Sequence, residues 1–404
     1  MRSVPSGRLE SARDAGMKTK RPSSREEFVG LTTPQIGEAE VAEVADTMRS
    51  GWLVSGPKVR LLERMLEHRL AVPHVRCLSG CSAGLFLGLK LGGVEPGDEV
   101  LLPSLTFAGC ANSIEQLGAR PVPIDSEPDT GLIDLDAAER AIGPRTKAMM
   151  PVHLGGRPLD MERVNAIRDR HGLAIVEDAA HAIGAEWAGV PIGAGGNPTA
   201  FSFHASKNMT TGEGGALAVQ SSVDAERVQR LAGQGLTESS WGRYGSREPA
   251  GYDVIEPGYK LAMSDVEAAL GIHQLPRLDA WIERREELAR RYDESLAGLP
   301  LDLEPPPPLG ARHARHFYAV RVHADAPVSR NELVQRFRDA NIGTSVHFKA
   351  LHFLTYYRER YGMSEAAFPV ASDFSRRSIS LPLHPGLTEA DQDAVVDVLA
   401  DSLS

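Results

Sequence analysis

Three short stretches of this chain combine residue types that could do chemistry together. The first is Phe201-Ser-Phe-His-Ala-Ser-Lys207-Asn-Met-Thr-Thr-Gly-Glu-Gly-Gly215. An apolar run delivers Lys207 into a loop rich in glycine and threonine. An amine in a partly dry site loses some of its preference for the charged form and becomes a nucleophile toward an aldehyde. A lone lysine is more often a solvated surface charge, so Lys207 gains meaning only from its company. Ser202, five residues earlier, offers a hydroxyl to an anion. The second stretch is Ala174-Ile-Val-Glu177 followed by Asp178. A carboxylate after a buried strand can keep a ring nitrogen protonated, or it can simply cap a helix. The third is Ser79-Gly-Cys-Ser-Ala-Gly84. Free N–H groups at a helix start make an anion site there, although a tight turn reads equally well. An amine for an aldehyde, an acid for a ring nitrogen and a cradle for a phosphate are what a protein contributes to pyridoxal phosphate chemistry.

The elements that must position these residues follow from periodicity. Val41, Val44, Ala45 and Met48 repeat at helical spacing before Gly51, and a second helix is expected over Val59 to Leu70. Strand and helix units then alternate. Strands are expected at Val75 to Leu78, Val100 to Leu102, Pro121 to Ile124, Ala148 to His153 and Leu173 to Glu177. Helices are expected at Ala83 to Leu91, Ala111 to Leu117, Asp134 to Ile142 and Met161 to His171. This succession implies a mostly parallel α/β sheet covered on both faces, with the ligand beyond the carboxyl ends of its strands. The pattern changes after Met263. Ser264 with Glu267 forms a capping box, and a long charged helix runs from Leu278 to Leu296. Further elements are a stiff Pro305 to Pro308 connector, a strand at Phe317 to Val322, a helix opened by Ser329 and Glu332, a strand at Thr344 to Phe348, and a last helix from Thr388 to Leu403. Residues 1–26 read as a disordered tail, 27–263 as a large ligand-holding domain, and 264–404 as a smaller α+β domain.

Bulk properties narrow the function class. The 404 residues carry 44 Lys and Arg against 54 Asp and Glu, a net charge of -10, which argues against a nucleic-acid or anionic-membrane partner. No run approaches the roughly 18 apolar residues of a membrane span. The three cysteines, Cys77, Cys81 and Cys110, form no disulfide or zinc pattern, so no metal site is expected and a reducing cytoplasm is the simplest location. Gly80-Cys-Ser82-Ala-Gly84 also matches the G-x-S-x-G elbow of a hydrolase. That reading leaves the Lys207 segment without a purpose. A dinucleotide dehydrogenase is disfavoured because no G-x-G-x-x-G follows a strand.

From about Thr33 to its end, the chain resembles the DegT/StrS family of sugar aminotransferases. The matching stretches, in order, are Ser50-Gly-Trp-Leu-Val-Ser-Gly-Pro57, Gly97-Asp-Glu-Val100, Pro103-Ser-Leu-Thr-Phe107, Pro151-Val-His-Leu154, Glu177-Asp-Ala-Ala-His181, the Lys207 segment, Pro257-Gly-Tyr-Lys260 and Ser380-Leu-Pro-Leu383. The resemblance implies the fold type I of pyridoxal-phosphate-dependent transferases, with a mostly parallel, seven-stranded-type sheet and a smaller α+β C-terminal domain. Phe201-Ser-Phe-His204, Pro257-Gly-Tyr-Lys260 and Tyr356-Tyr-Arg-Glu-Arg360 look most like the branch that aminates C4 of nucleotide-linked 4-keto sugars. A 3-keto sugar or a keto-cyclitol is the alternative substrate.

The resemblance also implies residue roles. Lys207 would bind the cofactor's aldehyde and move the proton, and Asp178 would pair with the ring nitrogen. Phe107 would stack on the ring, and His181 would lie near its 3-oxygen. Ser82, the N–H of Ala83 and Ser202 would hold the phosphate. Lys260 would reach the phosphate in a neighbouring subunit's site, which implies a homodimer with shared sites. The amino donor would be glutamate or glutamine. His204, Tyr259, His347 and Arg360 are candidates for substrate contact, each with packing or solvation as the alternative. Two departures stand out. Ala108-Gly-Cys110 lies where the family usually has Thr near the cofactor, and Gly258-Tyr-Lys-Leu-Ala262 lacks the Asn or Arg often seen nearby. Dehydratases of the same fold carry His at the position of Lys207, and a non-catalytic regulator would have lost its substrate contacts.

Overall fold

The structure is a computed structural model that describes residues 27–237 and 252–404. The expected tail over 1–26 lies outside the described residues. Among the described residues thirteen strands are formed: β1 (His74–Leu78), β2 (Glu99–Pro103), β3 (Arg120–Ile124), β4 (Thr146–Met149), β5 (Ala174–Ile175), β6 (Glu177–Asp178), β7 (Glu186–Trp187), β8 (Val190–Pro191), β9 (Thr199–Ser202), β10 (Gly215–Val219), β11 (Leu301–Asp302), β12 (Tyr318–Val322) and β13 (Ser378–Leu381). The helices used below are α1 (Glu38–Ser50), α2 (Pro57–Leu70), α3 (Cys81–Leu91), α4 (Ala108–Glu115), α5 (Leu135–Arg140), α6 (Met161–His171), α7 (Ser222–Ala232), α8 (Asp265–Gln274), α9 (Leu278–Leu296), α10 (Arg330–Asp339), α11 (Thr355–Tyr361), α12 (Pro369–Arg377) and α13 (Glu389–Leu403).

Two four-stranded sheets, β3-β2-β4-β5 and β1-β10-β9-β6, meet at a single residue, Val176, between β5 and β6. The backbone is bonded on both sides of this junction. Val176 N donates to Met149 O at 3.1 Å, and Asp178 N donates to Pro151 O at 2.9 Å. The two halves therefore run together as one surface seven strands wide. Its pairings are parallel except those of β10, which is antiparallel to both β1 and β9. Neighbouring strand residues enter opposite cores. Leu101, Met149, Ile175 and Phe201 join one cluster, while Leu102, Ala148, Val176 and Ala200 join the other. This alternation is what a sheet covered on both faces requires.

Local sequence explains the covering helices. α2 buries Val59, Leu62, Leu66 and Leu70, one stripe at helical spacing. α3 is apolar all round and is buried from Ala83 through Leu89. It presses so close to the sheet that a Cβ on Gly88 would lie 2.8 Å from Val176 Cγ1. Asp134 and Asp160 cap α5 and α6, accepting from the N–H groups of Ala137 and Arg163. The capping boxes of Ser264 with Glu267 and Ser329 with Glu332 are formed. A separate antiparallel sheet, β11-β12-β13, shares a third core with α9, α10 and α13.

One expected strand is absent. Residues 344–348 form only an isolated bridge, Ser345 to Ser380, and then leave the sheet. The side chains that follow make contacts outside any ladder. His347 Nδ1 meets Ser380 Oγ at 2.7 Å, and the Phe348 ring stacks against His181. The run expected from Ala148 to His153 is strand only to Met149, and that expected from Leu173 to Glu177 is broken at Val176.

Candidate active site

The segments that follow β1, β2, β6 and β9 converge at one edge of the seven-strand surface and line a cavity of about 900 Å³. Lys207, Asp178, His181, Ser82, Ala83, Phe107, Ser202, His204, Tyr259 and His347 all face it. Chain positions up to 265 apart are thus gathered at the edge where open α/β sheets bind ligands.

Asp178 ends β6 and is 5% exposed. Both of its backbone groups are bonded to one neighbouring segment: Asp178 N donates to Pro151 O at 2.9 Å, and His153 N donates to Asp178 O at 3.0 Å. Its side chain is held as well. Ala180 N donates to Oδ1 at 2.9 Å, and the Cys110 thiol donates to Oδ2 at 2.8 Å. The preceding side chain, Glu177, points into the core. There it meets His153 Nε2 at 3.1 Å and accepts from Asn197 Nδ2 at 2.8 Å. Hence the strand that presents Asp178 is anchored on both faces.

Lys207 follows β9 in a tight turn, its N–H donating to His204 O at 2.9 Å. Burial holds its amine below the ordinary lysine range, and the negative charge of Asp178 pulls in the other direction. Desolvation is the larger effect, so the amine is more readily neutral and nucleophilic than a surface lysine.

Above these two groups stands a stack of rings. His181 lies parallel to His316, with centroids 4.5 Å apart, and parallel to Phe348 at 5.8 Å. His347 stacks on Phe317 at 4.6 Å. Burial keeps all three imidazoles from protonating, and a Lys207 ammonium adds to the effect. His181 and His316 are pushed well below the usual histidine value and His347 to about 4. His181 Nδ1 accepts from Gly155 N at 3.2 Å, which leaves Nε2 to carry the proton of the neutral ring.

The same cavity is also lined by groups suited to an anion. α3 opens at Cys81, directing the N–H groups of its first turn outward beside the hydroxyls of Ser82 and Ser202. The turn is kept in place by a close backbone approach. A Cβ on Gly215 would lie 2.5 Å from Cys81 N, Gly80 C and Phe201 O. A buried amine, a fixed carboxylate and an anion cradle around one cavity fit pyridoxal phosphate.

Phe107 stands at the rim, 64% exposed, with its ring tilted 6.0 Å from that of Phe348. Tyr259 packs edge-on against Phe86 at 4.9 Å. His204 is exposed, and its Nδ1 lies 2.9 Å from Ser206 Oγ. Lys260 and Arg360 do not line the cavity. Lys260 is exposed, and Arg360 pairs with Glu115 at 3.4 Å beside the Tyr356 and Tyr361 rings. Sequence reasoning did not single out Thr106, His316 or Phe348, and it assigned no role to Cys110. The one available signal for Cys110 was its departure from the usual Thr. Among the described residues, no group of His, Cys, Asp or Glu is arranged to hold a metal, and no helix is long and apolar enough to cross a membrane.

Comparison with known proteins identifies the family. Residues 34–400 match the DegT/DnrJ/EryC1/StrS aminotransferase family. The chain is 42% identical over 379 residues to the spore coat polysaccharide biosynthesis protein SpsC of Bacillus subtilis strain 168, covering 93% of this chain and 97% of that one. Among solved structures it resembles Spr1654 of Streptococcus pneumoniae, described as a candidate sugar aminotransferase, in its PLP form. That match has a TM-score of 0.85 and 34% identity over 93% of this chain and 99% of the other. It also resembles the sugar aminotransferase CalS13 of Micromonospora echinospora, with a TM-score of 0.82 and 29% identity over 92% and 99% of the two chains.

Proposed function

This chain belongs to the DegT/DnrJ/EryC1/StrS aminotransferase family, and from that premise we propose that it transfers an amino group from glutamate or glutamine to C4 of a nucleotide-linked 4-keto-6-deoxy sugar. That it is a sugar aminotransferase using pyridoxal phosphate rests on the family and on its structural neighbours. The observation that supports the detailed reading best is the convergence of Lys207 and Asp178 on one cavity. The likeness of residues 201–204, 257–260 and 356–360 to the C4 branch supports the substrate.

Bound pyridoxal phosphate supplies an electron sink for the charge left on carbon when a proton is removed. The remaining work belongs to the chain. Nζ of Lys207 would hold the cofactor through its aldehyde carbon, the aldehyde oxygen leaving as water. Once the amino donor displaced it from that carbon, the freed Nζ would take a proton from the donor's α-carbon in one half-reaction and would return one to the sugar carbon in the other. A lowered amine pKa keeps it able to do both. Asp178 holds the proton on the ring nitrogen. By the resemblance, Phe107 would cover the ring, His181 would lie near its 3-oxygen, and Ser82, the Ala83 N–H and Ser202 would hold the phosphate. Lys260 contributes to the site of a second copy in a homodimer. The same proposal places the cofactor mainly in residues 27–263, with 264–404 as a smaller domain, and places the protein in the cytoplasm, where its three free thiols suit a reducing environment.

A panel of nucleotide-linked 4-keto sugars, 3-keto sugars and keto-cyclitols, scored for keto-acid release from glutamate, tests the substrate. Turnover of the 4-keto sugars supports the proposal. Turnover confined to another class contradicts it.

A further inference from the structure

Asp178 is braced by more than its backbone. Its Oδ2 receives the Cys110 thiol at 2.8 Å, and the Cys110 sulfur lies 3.1 Å from Thr106 Oγ1. Cys81 approaches Oδ1 at 3.8 Å. Cys110 and Thr106 are each 1% exposed, so no bulk water competes for the thiol. Both sit in one short segment, Thr106 to Cys110, which also carries the Phe107 ring and opens α4.

We propose that Cys110 is a positioning residue whose thiol, supported by Thr106, holds the Asp178 carboxylate aimed into the cavity. The inference rests on the reading that Asp178 pairs with the cofactor's ring nitrogen. A hydrogen bond to the charged form of a carboxylate favours that form. With the donor in place, the proton shared by Asp178 and the ring nitrogen stays on nitrogen. Without it, Asp178 keeps Ala180 N and the longer Cys81 contact, but Oδ2 loses the donor that fixes its direction. The thiol is suited to a purely donating role. Burial and the adjacent Asp178 charge push its pKa well above the usual thiol value, so it remains S–H. A second negative charge beside Asp178 is thereby avoided.

The test compares the full-length wild type with Cys110→Ala, Cys110→Ser and Asp178→Asn. One readout needs no cofactor. The infrared S–H stretch of the unloaded protein should contain a strongly hydrogen-bonded component that disappears in Cys110→Ala and shifts toward the free value in Asp178→Asn. Loaded with cofactor, Cys110→Ala should lose about tenfold in kcat, the effect of one charge-assisted hydrogen bond, with KM little changed. The pH at which the bound cofactor's visible band changes should move upward. Cys110→Ser, which keeps a donor, should recover most of the loss. An S–H band that ignores Asp178→Asn would overturn the proposal, and so would a Cys110→Ala enzyme within twofold of wild type beside a crippled Asp178→Asn. If Asp178→Asn itself leaves the cofactor band and the rate unchanged, the ring-nitrogen reading fails and this inference falls with it.

Discussion

The stacked imidazoles make a quantitative claim about acid stability. His347 has an ordinary value of 6.5 and sits at about 4 in the folded protein, chiefly because burial penalises its cation. Between those values the unfolded chain binds a proton at His347 that the folded chain refuses. Stability is therefore full above pH 6.5 and is lost as pH falls toward 4. The gap is roughly 2.5 units, or about 3 kcal/mol in full at 1.36 kcal/mol per unit. By pH 5 about 2 kcal/mol of it is gone. The ring is only partly buried, so solvent screening reduces the expected loss to about 1–2 kcal/mol. His181 and His316 add losses of the same sign. The assay is urea unfolding of the unloaded protein near pH 7.5 and near pH 5, for wild type and His347→Gln. The wild type should lose about 1–2 kcal/mol more than the variant between the two pH values. Equal losses in the two proteins would refute the idea that His347 is held neutral by its surroundings.

Two further substitutions test how the site is held. In Gly215→Ala the new Cβ meets three backbone atoms at 2.5 Å, none of which can swing aside. The turn at Gly80 and Cys81 must shift, so cofactor affinity should fall about tenfold or more and stability by about 1–3 kcal/mol, while Gly143→Ala, at a position with open space around it, should change neither. Cofactor titration and thermal unfolding read both. Asp265 is buried and accepts from the N–H groups of Gly56, Lys58 and Val59 at 2.8, 3.1 and 3.0 Å, capping α2 from a distant part of the chain. Asp265→Ala strands these donors and should cost about 2–4 kcal/mol in urea unfolding, with Asp265→Asn closer to wild type.

Much of the site was readable because its chemistry follows strands. Asp178 comes directly after an apolar run, Lys207 after another, and Ser82 at a strand-to-helix junction, so a parallel α/β pattern was enough to bring them to one edge. Residues placed by distant partners were not readable in this way. His316 matters because it stacks on His181, 135 positions earlier, and nothing in its own neighbourhood announces that contact. Arg360 was a candidate for substrate contact by resemblance, and its pairing with Glu115 was not readable because that partner belongs to a different helix. Residues 344–348 alternate well enough for a strand, but the pairing needed beyond Ser345 is displaced by side chains turned toward Ser380 and His181. Cys110 was passed over because a small thiol is usually core filling. The helix expected to begin at Ala111 in fact begins at Ala108, which puts Cys110 in its first turn.

The central claim is that the Lys207 amine binds the cofactor's aldehyde. Loading the protein with pyridoxal phosphate, reducing with borohydride and mapping peptides by mass spectrometry tests it most directly. The account predicts one pyridoxyl-phosphate adduct on Lys207 and none in Lys207→Ala. An adduct on another lysine, or an unchanged adduct yield in Lys207→Ala, would contradict it.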